Sequence, residues 1–141
     1  MKDLILKENT LNADEFIELW TSVWGGAPTR EQVALALENS IYRISICDGS
    51  KIVAMARMIG DRGLCYYIKD VIVRPEYQSH GVGRMLLEAL LDFIRKSGVP
   101  GTEIAVELCA MPDKMPFYAK FGFAANEAQR MRMMLTAGET T

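Results

Sequence analysis

Residues 71–84 read VIVRPEYQSHGVGR, and this stretch decides how the rest of the chain is interpreted. It opens with an apolar run, continues through a proline that cannot donate to a β-sheet, and ends in two glycines. A second apolar run follows, so the order strand, glycine loop, helix is predicted. Glycines permit positive φ, and the following helix directs free N–H groups and its positive dipole end at the loop. The loop is therefore expected either to make a tight turn or to bind an anion such as a phosphate.

Two common nucleotide-binding loops fit this stretch poorly. A Walker loop requires Lys-Ser/Thr after its second glycine, but Gly83 is followed by Arg84-Met85. A Rossmann fingerprint requires a third glycine near Leu86 and an early position in a βαβ unit, and neither condition holds.

The residues before the loop change from a helical period to an alternating one. A short strand is predicted at 3–7, followed by two helices N-capped by Asn12 and Thr29. Alternation then predicts strands at 41–47, 51–59 and 64–73, joined by turns at 48–50 and 60–63.

The residues after the loop complete a mixed sheet. A strong amphipathic helix runs from Val82 to a glycine C-cap at Gly98. A strand at 103–109, a short helix at 113–121 and a last strand at 130–135 follow. The helical crossover makes strands 64–73 and 103–109 parallel neighbours, whereas hairpins make the middle strands antiparallel. Helices are expected on the faces of the sheet.

Composition limits the class of protein. The 141 residues suit one domain spanning 1–141. The net charge of −2, from 16 basic and 18 acidic residues, gives no global basic field, so nucleic acid is not the expected partner. No stretch reaches the roughly 18 apolar residues of a membrane span, and the start does not resemble a signal peptide. We therefore expect a cytoplasmic protein with no membrane partner.

The cysteine and histidine content argues against a metal site. Cys47, Cys65 and Cys109 form no CxxC pair, and their positions in apolar runs predict three buried, reduced thiols. His80 is the only histidine, too few ligands for zinc, so no metal is expected.

Two segments resemble the GNAT N-acetyltransferase superfamily. Residues 71–83 are similar to its motif A, Gln/Arg-x-x-Gly-x-Gly/Ala after a strand and a proline. Residues 116–123, PFYAKFGF, are similar to its Phe-Tyr-x-Lys-x-Gly-Phe segment, and the order of elements also matches. The resemblance implies an α/β (α+β) fold: a mixed, mostly antiparallel six- to seven-stranded sheet with helices on both faces and a splayed parallel strand pair.

The resemblance also implies acetyl-CoA as cosubstrate. Backbone N–H groups of the loop would hold its pyrophosphate, and the preceding strand would pair with its pantetheine arm. A backbone N–H near that strand would stabilise the oxyanion. The expected cofactor-binding residues are Val71, Ile72, Val73, Gln78, Ser79, His80, Gly81, Val82, Gly83, Arg84 and Lys120.

Catalysis in this family is direct attack of an amine on the thioester. The resemblance gives Tyr118 the role of general acid on the leaving thiolate. The base stays open: Asp70 or Glu107 takes the amine proton, directly or through water, or no dedicated base exists. The alternative for Asp70 is an ion pair with a lysine or arginine, and for Glu107 a solvent-facing position.

The resemblance implies an acceptor site between the first two helices and the sheet. Trp24, at the end of a helix before a Gly-Gly-Ala-Pro loop, is the predicted wall of the pocket, with Tyr66 and Tyr67 beside it. A period of two puts Asp70 on the same face of its strand as Tyr66, with Tyr67 and Lys69 on the other.

The expected function is transfer of an acetyl group from acetyl-CoA to a primary amine of a small molecule. Acetylation of a protein lysine or N-terminus is the first alternative, and a non-catalytic acyl-CoA-binding sensor module is the second. The apolar Met131, Met133 and Met134 serve either a homodimer or ordinary core packing.

Overall fold

The computed structural model describes residues 3–126, 128 and 130–138. Its strands are β1 (Leu4–Glu8), β2 (Tyr42–Asp48), β3 (Lys51–Gly60), β4 (Cys65–Val73) and β5 (Ala105–Glu107). Its helices are α1 (Ala13–Trp24), α2 (Arg30–Glu38), α3 (Val82–Ser97) and α4 (Met115–Ala119), with 3₁₀ turns at Pro75–Tyr77 and Pro112–Lys114. The chain divides into two compact units, Met1–Cys109 and Ala110–Thr141. None of the helices in the described ranges has the length and apolar character needed to cross a membrane.

The first two helices start at the predicted caps. Asn12 Oδ1 accepts from the Glu15 N–H at 2.9 Å, and Glu15 Oε1 accepts from the Asn12 N–H at 3.1 Å, which completes a capping box. Thr29 Oγ1 accepts from the Gln32 N–H at 3.1 Å at the start of α2. Two of the N–H groups that a helix leaves without partners are thereby satisfied at α1, and one at α2.

The five strands form one sheet in the order β1-β2-β3-β4-β5. The first four are antiparallel neighbours, and β5 pairs parallel to β4 from Cys65↔Ala105 to Tyr67↔Glu107. The fold class and the crossover are confirmed, although the described residues form five strands and not six or seven.

The strand expected at 130–135, in the second unit, is not formed. Met131, Met133, Met134 and Leu135 are all strongly exposed. The apolar residues of this segment find no surface to cover within their unit, and Met134-Leu135 breaks the alternation that a half-buried strand needs.

Helices cover both faces of the sheet. Tyr42 stacks on Phe93 of α3 with ring centroids 4.1 Å apart, whereas the next residue, Arg43, donates from Nη1 to the Leu37 carbonyl of α2 at 2.8 Å. Since successive side chains of a strand point to opposite faces, α3 covers one face and α2 the other. The core on the α1 and α2 face is Leu11, Ala13, Phe16, Leu19, Val33, Leu37, Cys47, Ile52, Met55 and Ile72.

A β-bulge interrupts β4. Met55 pairs with Ile72 and Arg57 pairs with Lys69, so two residues of β4 stand opposite one of β3. Asp70 lies in this bulge with a φ of 55°. The extra residue turns the Asp70 side chain toward Arg57, on the face that α2 covers, whereas Tyr66 faces α3. The expectation that Asp70 and Tyr66 share a face was wrong for this reason.

Candidate functional site

The glycine loop forms a concave turn at the start of α3. Ser79 and Gly81 both have positive φ, 66° and 80°, and Gly81 is the N-cap of the helix. The helical ladder begins with the Met85 N–H donating to the Gly81 carbonyl at 3.1 Å, and no side chain caps this end. The N–H groups of Val82 and Gly83 precede that first bond and point out of the helix end. Such a turn, with the positive end of the helix dipole behind it, suits an anion.

Arg74 fixes the point where β4 enters the loop. Its guanidinium donates from Nε to the Ile52 carbonyl at 2.6 Å and from Nη2 to Glu18 Oε1 at 2.6 Å. The side chain of Arg74 is only 11% exposed, so the loop entrance is tied to both β3 and α1.

Tyr77 provides a second attachment for the loop. Its ring is buried, and its hydroxyl donates to Asp48 Oδ2 at 2.5 Å. Hydrogen bonding to Asp48 raises the pKa of the Tyr77 phenol, so the donor stays protonated at neutral pH. Lys51 Nζ lies 5.5 Å from the centre of the same ring. The loop is therefore held at both its entrance and its 3₁₀ turn before α3 begins.

The edge of β4 next to the loop presents backbone groups outward. The Arg74 N–H donates to the Val53 carbonyl of β3 at 2.8 Å, so the groups of Val73 point to the opposite edge. Gln78 Nε2 donates to the Val73 carbonyl there at 3.2 Å. The same alternation directs the N–H of Val71 to this outer edge.

The outer edge of β4 is covered by β5 over only three residues. Pairing between β4 and β5 stops at Tyr67↔Glu107, and no other strand of the described residues lies on that edge of β4. At the end of the pair the Tyr67 hydroxyl donates to Cys109 Sγ at 2.9 Å. This arrangement agrees with the expected splayed parallel pair.

The two candidate carboxylates differ in their surroundings. Asp70 Oδ2 accepts from Arg57 Nε at 2.6 Å, with only 14% of the Asp70 side chain and 15% of the Arg57 side chain exposed. Arg57 Nη1 also lies 3.3 Å from Ser40 Oγ at the end of α2. Glu107 is exposed on β5, directly beside Tyr67. Asp70 thus forms the ion pair that was its alternative role, and Glu107 has the solvent-facing position that was its alternative.

The predicted acceptor-binding aromatics differ in their surroundings. Tyr66 is fully buried, with its hydroxyl 2.8 Å from Ser97 Oγ on α3. Trp24 is 59% exposed at the end of α1. Tyr67 is half-buried, and Lys69 Nζ lies 5.6 Å from the centre of its ring. Trp24 is thus exposed and Tyr67 keeps some exposure, whereas Tyr66 is covered.

Tyr118 and Lys120 lie in the second unit. The Tyr118 ring packs edge-on against Phe117 and Phe123, with centroids 5.1 and 6.1 Å away. Burial raises the pKa of the Tyr118 phenol. Lys120 is exposed directly after α4.

The cysteines differ from expectation. Cys47 is buried, Cys65 is half-buried and Cys109 is exposed, because β5 ends at Glu107, two residues before Cys109. Across the described ranges, no group of three or more His, Cys, Asp or Glu side chains is placed to hold a metal ion.

The sequence interpretation missed several residues that shape the site. Arg57, Lys69 and Arg74 were given no role, although each interrupts or ends an apolar run. A cation within a strand as apolar as KIVAMARMI is a signal in itself, since such a residue is rarely buried without a partner.

Comparison with known proteins identifies the family. The model of the acetyltransferase (GNAT) family matches residues 10–123. The chain is 34% identical over 128 residues to the uncharacterized N-acetyltransferase ycf52 of Pyropia yezoensis, covering 86% of this chain and 71% of that protein. It is 33% identical over 105 residues to the chloroplastic serotonin N-acetyltransferase 2 of Oryza sativa subsp. japonica, covering 70% of this chain and 50% of that protein.

A solved structure agrees with this result at the level of the fold. A probable acetyltransferase from Staphylococcus aureus superimposes with a TM-score of 0.81 and 23% identity, covering 95% of this chain and 99% of that one. The chain therefore belongs to the GNAT family of acetyltransferases and is an acyltransferase.

Proposed function

We propose that this protein transfers the acetyl group of acetyl-CoA to a primary amine of a small molecule. The observation that carries the proposal is the attached glycine loop, whose N–H groups open beside the outward-facing edge of β4. The loop, from Gln78 to Arg84, would hold the pyrophosphate. The N–H group of Val73 would hold the pantetheine arm as a strand would.

A backbone donor at this edge would also assist the reaction. Acetyl-CoA supplies an activated thioester, and the attack of an amine on it places negative charge on the carbonyl oxygen. Val71 follows Asp70 in the bulge, and the alternation of β4 directs its N–H to the open edge, so we assign this N–H to that oxygen.

Tyr118 is the proposed general acid for the departing thiolate. Its role rests on the family resemblance and on one physical property. A general acid must carry its proton at working pH, and burial raises the pKa of this phenol. The hydroxyl is thus protonated at neutral pH.

Glu107 is the proposed base: it takes a proton from the ammonium group of the acceptor, directly or through water, so that the neutral amine can attack the thioester. Asp70 is less suited because its carboxylate is held by Arg57 at 2.6 Å and is largely buried. Glu107 is exposed, at the last position where β4 and β5 pair.

A small amine is proposed over a peptide for two reasons. One relative is named for serotonin, a small amine. Two aromatic side chains that keep some exposure, Trp24 and Tyr67, suit a compact acceptor with an apolar body or a cation held over a ring. Acetylation of protein and a non-catalytic acyl-CoA sensor are the competing functions.

The deciding experiment measures free thiol released from acetyl-CoA against small amines, a lysine peptide and a peptide with a free N-terminus. We expect turnover with a small amine and a loss of about 10² to 10⁴ in kcat for Tyr118→Phe. Tyr42→Phe is the matched control, because it also removes a largely buried tyrosine hydroxyl, bonded to Glu8 at 2.8 Å. Turnover only with peptides would support the protein acetyltransferase. Tight binding of acetyl-CoA with no turnover at all would support the sensor.

A homodimer is the proposed oligomeric state. Met131, Met133 and Met134 are 93%, 73% and 78% exposed, an unusual number of apolar side chains in one short segment. Light scattering coupled to size exclusion measures the mass directly, and a monomer at all concentrations would contradict the proposal.

A further inference from the structure

Three cations form one row across the sheet. Arg43 of β2 is the direct partner of Arg57 of β3, and Arg57 is the direct partner of Lys69 of β4. Residues that stand opposite each other in neighbouring strands share a face. The row lies on the face that α2 covers, because Arg43 donates to the Leu37 carbonyl of that helix.

The row carries more positive charge than the carboxylates of the described residues neutralise. Asp70 pairs with Arg57, which leaves two charges of the three without a carboxylate. Lys69 forms an ion pair with none of the carboxylates that the structure describes, and its contact is the Tyr67 ring. Arg43 Nε is buried and has no hydrogen-bond partner in the described part of the chain. Like charges that stand opposite each other destabilise a sheet, and an unpaired buried donor adds to that cost.

The position of the row relates it to the proposed reaction. Lys69 directly precedes the bulge and lies just past the last pair of β4 with β5. One residue, Asp70, lies between Lys69 and Val71, so the two are within roughly 7 Å of each other along the strand. Glu107 stands opposite Tyr67 in the parallel pair and therefore also faces this side of the sheet. A positive row and one exposed carboxylate thus lie close to the proposed site of acetyl transfer.

We propose that the acceptor amine carries an anionic group, a carboxylate or a phosphate, which binds to Lys69 at the end of the row. Arg57 and Arg43 do not contact the anionic group, but their positive charges in the same row favour its binding at Lys69. Glu107 receives the ammonium end of the same molecule. The inference rests on the proposed function and narrows it to compact acceptors that carry both a positive amine and a negative group.

Matched acceptors test the inference through activity. Phosphoethanolamine is compared with ethanolamine, and β-alanine with β-alaninamide, in the wild type, Lys69→Met and Lys69→Arg. We expect at least one anionic member to exceed its neutral counterpart about tenfold in kcat/KM, as a hydrogen bond to a charged group allows. Lys69→Met should lose that preference and Lys69→Arg should keep most of it.

Lys96→Met is the control, because it removes one lysine charge from an exposed position on α3. It should leave the preference unchanged. Equal use of neutral and anionic members by the wild type, or an equal loss in both methionine variants, would overturn the inference.

A binding measurement separates this inference from the proposed function. Inorganic phosphate is titrated in the presence of saturating coenzyme A, which occupies the loop, while the melting temperature is followed. Phosphate should stabilise the wild type and Lys96→Met but not Lys69→Met. An equal response of all three proteins refutes the anion site even if amines are acetylated. A response lost only in Lys69→Met supports it even if no amine is acetylated, an outcome that would refute the proposed function alone.

Discussion

Two substitutions of Asp70 should separate the stability that its ion pair contributes from the energy that its left-handed backbone conformation costs. Asp70 pairs with Arg57 and holds a φ of 55°, a conformation that costs most L-residues energy but costs glycine none. Asp70→Ala and Asp70→Gly both delete the ion pair. Only the alanine variant must also adopt the unfavourable backbone conformation.

The magnitudes follow from burial and geometry. Breaking a buried ion pair from one side costs about 3 to 5 kcal/mol, and because both side chains keep some exposure, 14% and 15%, we expect about 3 kcal/mol for each variant. The left-handed conformation costs alanine about 1.5 kcal/mol, while glycine loses about 0.7 kcal/mol through the entropy of its unfolded chain. Asp70→Gly should therefore be more stable than Asp70→Ala by about 0.8 kcal/mol. Because Asp70 itself already adopts this conformation, the lost pair alone sets the change for Asp70→Ala, whereas Asp70→Gly loses only about 2.2 kcal/mol. At about 3 °C per kcal/mol for a domain of this size, Tm falls by about 9 °C in Asp70→Ala and about 7 °C in Asp70→Gly.

The assay is urea unfolding followed by circular dichroism, with a double-mutant cycle to Arg57→Met. The double variant Asp70→Gly/Arg57→Met no longer contains an unpaired buried charge, so its loss should fall short of the sum by about 2 kcal/mol. Asp14→Ala, which breaks the exposed pair with Arg30, serves as control and should change stability little. Additive losses within about 0.5 kcal/mol, or an alanine variant as stable as the glycine variant, would refute the reasoning.

Two further predictions concern the loop and the acceptor side. Gly81→Ala must adopt a φ of 80°, so we expect a loss of about 1 kcal/mol in stability and weaker binding of coenzyme A by calorimetry; an unchanged Kd would contradict the role of the turn. Tyr66→Phe should leave the KM for the amine unchanged because the Tyr66 ring is fully buried, whereas Trp24→Ala should change that KM because Trp24 is exposed. A changed KM in Tyr66→Phe with an unchanged KM in Trp24→Ala would contradict the proposed place of the acceptor.

The features that depend on residues close together in the sequence could be predicted from it. Asn12 and Thr29 cap their helices with their own side chains, so the first helical positions identify them. The crossover that makes β4 and β5 parallel follows from a helix that joins two strands of one sheet. The glycine loop was located by the two glycines and by the strand and helix around it.

The features that depend on one added residue or on partners distant in sequence were not predictable. A period of two shows the alternation of β4 but not the insertion at Asp70, so the face predicted for Asp70 was wrong. The pairing of Arg57 with Asp70 followed from that insertion. The strand at 130–135 was predicted from alternation alone, although a strand also needs a neighbour to bond and a surface to cover.

The bulge in β4 affects both the proposed binding of acetyl-CoA and the proposed binding of the acceptor. The insertion that turns Asp70 toward Arg57 also sets which backbone groups of β4 point outward, and these include the Val71 N–H. The Arg57–Asp70 pair therefore shapes the cofactor edge and the positive row together. Lys69 precedes the insertion, so its side chain does not determine the direction of the Val71 N–H. Its proposed role is limited to binding the acceptor. Arg57→Met should therefore weaken the binding of both coenzyme A and the acceptor, whereas Lys69→Met should weaken acceptor binding alone.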